Sequence, residues 1–234
     1  MDHRSTLLPK ICPLGRSGKA CKSGPVILAV FAVCILGLGC AGKTGQTPPI
    51  SSYTLEYTVP EPTAPPLSVI LGVTRFSVAP EYDTQSIVYR DGDLVRREYA
   101  YHFWRANPGL LVSSFLRRDM IASGLAQAVT GPGTTLRPVY TVEGVVQDFY
   151  EFDLHDRWQA VLSLVITLVD ARTPDPAQEV LFQRTYSRRE NCQKRNPESL
   201  AQAMSRAMSG VSADIVLDVR QSIAERMSAG QAGS

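Results

Sequence analysis

The chain has 234 residues, with 24 Lys and Arg against 22 Asp and Glu and a formal net charge of +2. Five of those basic residues, Arg4, Lys10, Arg16, Lys19 and Lys22, and one acid, Asp2, lie in residues 1–39, so the remainder carries 19 basic against 21 acidic side chains. That balance excludes a nucleic-acid binder working through a basic face, and the roughly 195 residues left suffice for one domain with its own core.

The segment Val26 to Gly39 is apolar over 14 residues, short of the roughly 20 that a helix needs to span a bilayer. Behind its basic leader it predicts a secretory signal peptide over residues 1–39. Gly39 followed by Cys40 resembles the lipobox of bacterial lipoproteins, with leucines at positions 36 and 38 and Gly37 where leucine is usual. Cleavage is expected between Gly39 and Cys40, with lipid on Cys40. An uncleaved anchor and a different cleavage point are the alternatives these residues leave open. Ala41 stands where aspartate would retain a lipoprotein at the inner membrane, which by analogy favours the outer membrane. A multiply acylated cysteine anchors stably while its domain stays in water. Cys12, Cys21 and Cys34 belong to the signal, leaving Cys192 without a partner for an internal disulfide.

Residues 40–66 carry six prolines, interrupted by Tyr53 to Val59, and predict a tether with one short strand. The domain is expected over 67–227. Leu67 to Ala79, Ser86 to Arg90 and Arg97 to Trp104 are β-branched and aromatic and predict three strands, the last two joined by the Asp91-Gly92-Asp93 turn. Asn107-Pro108 predicts a helix start, and Leu111, Phe115, Ala122, Leu125 and Val129 a helical stripe running to Gly131-Pro132-Gly133. Arg118 on that stripe reads as an ion-paired side chain at the edge of the buried face.

Thr141 to Asp153 and Arg157 to Asp170 predict two long strands around Leu154-His155-Asp156, with an apolar row from Trp158 through Ala160, Leu162, Leu164 and Ile166 to Leu168. Thr173 to Pro176 predicts a turn and Glu179 to Arg188 a third strand of an antiparallel meander. Asn196-Pro197 opens a second helix whose buried stripe is Leu200, Met204, Ala207, Met208, Val211, Ile215 and Val219. Residues 228–234 predict a frayed tail. The order predicts an α+β domain with a largely antiparallel sheet and two long helices packed on one face.

Local motifs for catalysis are missing. His102 and His155 have no neighbours at metal-ligand spacing, and neither a phosphate-binding glycine loop nor a Gly-x-Ser-x-Gly elbow occurs. Glu143, Glu151 and Asp153 alternate along one strand and predict a solvated outer face rather than a carboxylate pair. No catalytic residue, metal or cofactor is expected.

The segments Arg75 to Tyr82, Ile87 to Arg90, Tyr99 to Tyr101 with Trp104, and Pro108 to Leu111, with Ser52 to Leu55 upstream, resemble the ABC-type transport auxiliary lipoprotein family, the PqiC-like lipoproteins of MCE lipid-transport systems. The resemblance implies a fold similar to the N-terminal domain of TolB and a non-enzymatic, lipid-anchored protein on the periplasmic side of the outer membrane. It further implies cooperation with an MCE-domain membrane protein and an ABC permease and ATPase, in a monomer or a homo-oligomer. Tyr89, Arg90, Tyr101 and Trp104 match its motif and are expected to shape a partner surface. The other class these features fit is a structural or pilot-type outer-membrane lipoprotein without a lipid-transport role.

Overall fold

The computed structural model describes residues 48–92, 94–154, 157–173 and 179–232. Gly39 and Cys40, the signal segment, Asp93, His155, Asp156 and most of the Thr173 to Pro176 turn lie outside the described residues. The elements in order are β1 (Ser51–Tyr53), β2 (Leu67–Val73), β3 (Ser77–Val78), β4 (Ser86–Asp91), β5 (Val95–Trp104), α1 (Pro108–Ala122), β6 (Ala126–Thr130), β7 (Tyr140–Leu154), β8 (Arg157–Asp170), β9 (Val180–Asn191) and α2 (Pro197–Ala232).

All the described strands join one sheet with β7 as its axis. One edge of β7 pairs along its whole length with β8, antiparallel, and β8 pairs likewise with β9. This is the expected meander. The other edge takes three short strands in succession, all parallel: β2 at Tyr140 to Val142, β3 at Val145 and Val146, and β4 at Glu151 to Asp153. Outside them, β6 and β1 add parallel edges and β5 an antiparallel one. The sheet is therefore mixed, and the α+β class stands.

The apolar row of β8 is the floor of the core, with Ala160, Leu162, Leu164, Ile166 and Leu168 fully buried. α2 lies over β8 and β9, and its stripe from Leu200 to Val219 meets that floor without solvent exposure. Ion pairs fix its register on the edge strand: Arg184 to Asp218 and Arg188 to Asp214, both 2.8 Å, and Arg206 to Glu190 at 3.4 Å. Exposed pairs of this kind contribute about 0 to 1 kcal/mol each, so they orient the helix more than they hold it. The helix continues through the predicted tail to Ala232.

Both asparagine caps form. Asn107 accepts from the Gly109 amide at 3.0 Å, and Asn196 from the Ser199 amide at 2.8 Å. α1 is shorter than its stripe predicts. Gly124 adopts φ +60°, and the Gly124 and Leu125 amides bond back to Ile121 and Met120, which closes the helix in a Schellman motif. Leu125 and Val129 consequently belong to the turn and to β6. The face α1 buries is Leu111, Val112, Leu116 and Met120.

Two further boundaries move. The strand expected over Leu67 to Ala79 breaks at Thr74 to Phe76, where the Phe76 ring turns inward onto Gly144; a Cβ at Gly144 would stand 2.7 Å from it. The domain also begins before Leu67. β1 pairs with β5, Leu55 is fully buried, and residues 54–66 cross the helices as a strap. The Glu56 amide donates to Ser205 Oγ at 2.9 Å, Tyr57 donates to Asp119 at 2.7 Å, and Arg220 donates to the carbonyls of Pro65 and Gly124, both at 3.0 Å. The proline content that predicts a free tether instead shapes an extended strap, because Leu55 and Tyr57 supply enough contacts to hold it down.

Candidate functional site

The four residues expected at a partner surface sit on the β4–β5 hairpin and part company there. Trp104 is a core residue, 3% exposed and edge-on to Phe149 with ring centres 5.0 Å apart. Its indole buries against the axial strand, which removes it from any surface. Tyr89 is half-buried against the Tyr99 ring at 5.0 Å. Arg90 faces the side of the sheet away from the helices, donates to the Tyr150 hydroxyl at 3.1 Å and lies over that ring. Tyr101 is exposed, as are Leu94 at 94% and Val95 at 44% beside the hairpin turn. Leu94 was legible only as an apolar residue after a turn, with nothing in the sequence to mark it as uncovered.

On the Arg90 side, Tyr82 stacks on Tyr150 at 5.5 Å, nearly parallel, and Arg96 lies over the same ring while pairing with Glu81 at 3.7 Å. Across the sheet Arg189 lies over Phe152. Guanidinium groups on aromatic faces hold each other rigid while leaving polar edges in water. The hairpin is thus stiffened close to its turn, where Leu94 and Val95 stand exposed beside the Asp91–Arg97 ion pair.

The opposite face of the same region holds Glu151, expected on a solvated face but only 1% exposed. The cause is a bulge at Gln147. Before it Tyr140, Val142 and Val146 point to the core, and after it Phe149 and Glu151 do, while Glu143 stays outside. One extra residue exchanges the two faces of a strand. Tyr99 donates to both Glu151 oxygens at 3.1 and 3.2 Å, and Trp158 Nε1 donates to one of them. Burial pushes the Glu151 carboxyl up to about 7, the two donors offset part of that, and the Asp153 charge adds to it. The contacts continue outward: His102 lies edge-on to Tyr99, and the Tyr53 hydroxyl meets His102 Nδ1 at 3.1 Å, so β1, β5, β7 and β8 are joined through one polar chain.

Little chemistry is available here. The Glu151 oxygens are occupied by Tyr99 and Trp158 and closed to a substrate. Cys192 is half-buried, and burial together with the Glu151 charge pushes its thiol up to about 11, far from the reactive thiolate. Among the described residues, no group of three His, Cys, Asp or Glu side chains is placed to hold a metal ion, and no helix is long and apolar enough to cross a membrane.

The family of ABC-type transport auxiliary lipoprotein components matches residues 53–216, a span that begins inside β1 and ends within α2. A crystal structure of protein XCC0632 from Xanthomonas campestris, of family DUF330, superposes with a TM-score of 0.68 at 20% identity, covering 76% of this chain and 99% of that one. A second crystal structure, of an uncharacterized protein, reaches 0.58 at 15% identity over 74% and 99%. Both show the same fold. No curated protein matches the sequence. With the family match spanning the strap, the hairpin, α1 and the first part of α2, the chain belongs to the ABC-type transport auxiliary lipoprotein family.

Proposed function

We propose that the chain is a non-enzymatic accessory subunit of an ABC transport system of the MCE type, which moves lipid between the inner and outer membranes. Cys40 carries its lipid after cleavage behind Gly39, and the domain faces the periplasm from the outer membrane. The observation that carries this is the family match over residues 53–216. The interior agrees with it: the most perturbed carboxyl, Glu151, is a sealed structural group rather than a reactive one.

The surface offered to a partner is the exposed flank of the β4–β5 hairpin, with Leu94 and Val95 at its turn and Tyr101 nearer its open end, stiffened by the rings and guanidinium groups of Arg90, Arg96 and Tyr150. An exposed aromatic and two aliphatic side chains on a rigid support are the usual makings of an interface centre. Tagged protein extracted from envelopes should bring down an MCE-domain protein together with the permease and ATPase. Leu94→Asp with Tyr101→Ala should reduce that recovery at least tenfold at unchanged melting temperature. Recovery of an outer-membrane pore and no transporter subunit would overturn the proposal in favour of a pilot-type role. Mass spectrometry of the mature N-terminus should find a diacylglyceryl cysteine at position 40.

A further inference from the structure

Beneath the strap lies a cavity of about 270 Å³ between residues 57–63, the end of α1 and the middle of α2. Its walls are largely apolar, from Pro60, Ala213, Val216 and Leu217, and its polar floor is built around Asp119, which is 1% exposed. Arg118 donates twice to Asp119 Oδ1, at 2.9 and 2.8 Å. Tyr57 and Ser212 each donate to Oδ2 at 2.7 Å.

These bonds fix the polarity of the floor. A hydroxyl has one proton and two lone pairs. Tyr57 and Ser212 spend their protons on Asp119, and Ser123 spends its own on the Met120 carbonyl. Their oxygens face the cavity as acceptors, and burial with the Asp119 charge pushes the Tyr57 phenol up, so it stays a phenol. Glu61 adds a carboxylate at the rim, and no Lys or Arg lines the space. The nearest guanidinium, Arg118, is committed to Asp119 and stacked over the Tyr57 ring at 4.4 Å. Thr58, Thr63 and Ser209 add hydroxyls that can donate or accept, so charge decides the ligand: Asp119 and Glu61 carry two negative charges against the one positive charge of Arg118, which calls for a ligand that brings positive charge.

We infer that this cavity binds a primary ammonium group carried on a short apolar chain, the head seated on the Tyr57 and Ser212 hydroxyl oxygens within the field of Asp119 and Glu61, and the chain along Val216 and Leu217. An anionic head of the same size is excluded, since it would place like charge beside Asp119 and Glu61.

The test is methyl NMR on the full chain held in a lipid nanodisc, titrated with n-butylamine and, separately, with butyrate. Butylamine should shift the Ala213, Val216 and Leu217 methyls saturably, and butyrate should bind at least about tenfold more weakly. Ala213 is exposed on α2, so Ala213→Phe should fill the mouth, keep the remaining spectrum and abolish the Val216 and Leu217 shifts. Equal response to butyrate, shifts that never saturate, or shifts that survive in Ala213→Phe would each overturn the assignment.

Discussion

Glu151 shows how one backbone irregularity sets a pH response. Its carboxyl titrates near 4.5 when unfolded and about 7 when folded, so the native state holds the proton more tightly. Stability from this group is fully present below pH 4.5 and is lost as pH rises towards 7, by about 3 kcal/mol in all. Thermal melts across that window should show the decline in the native protein and a flatter profile in Glu151→Gln. Trp104 and Tyr101 make a second residue-level contrast. Trp104→Ala opens a cavity against Phe149 and should cost about 3 to 5 kcal/mol in chemical denaturation. Tyr101→Ala, at an exposed site, should stay within about 0.5 kcal/mol of the native chain. The sequence shows both as aromatic residues three apart on one strand, hence on opposite faces, and the register shift between Ser86 and Val88 in the β4–β5 pairing hides which of the two faces the core.

The elements legible in advance were those whose partners are near in sequence. β7, β8 and β9 alternate and follow one another, and the apolar period of α2 runs on through Gly210 with no Pro in its stripe, so strand order and buried face were both readable. The parallel joins of β2, β3 and β4 to β7 were not, since each is made across dozens of residues and leaves no local mark. Nor was the end of α1, where Gly124 stops the helix inside a run that keeps its apolar period by accident. Gly109 marks where α1 meets the β2–β3 break: a Cβ there would stand 2.3 Å from the Phe76 carbonyl oxygen, a backbone atom with little room to yield. Gly109→Ala should therefore cost about 2 to 3 kcal/mol by denaturant titration despite alanine's better helix propensity.

At the scale of the molecule, the strap decides where the domain starts. A chain beginning at residue 67 lacks β1, Leu55 and the Tyr57 bond to Asp119, and leaves that buried carboxylate with one donor fewer than the whole chain gives it. It should unfold at least about 2 to 5 kcal/mol more easily than a chain beginning at residue 48, the loss of Leu55 alone accounting for that range. The same segment leads away to the N-terminus, so any pull arriving from that side enters through β1. A strand drawn along its own axis against a parallel neighbour loads all its bonds together, whereas one drawn sideways peels bond by bond; the three register pairs of β1 with β5 thus make resistance depend on direction. Behind them Leu55, Tyr57 and the Arg220 grip on Pro65 act as latches in series, and freeing residues 51–66 pays out roughly 50 Å of slack at full extension before the β7–β8–β9 meander bears any load. Single-molecule pulling from the N-terminus should record that step as a separate, low-force lengthening ahead of the main rupture, which makes the strap a mechanical fuse protecting the sheet.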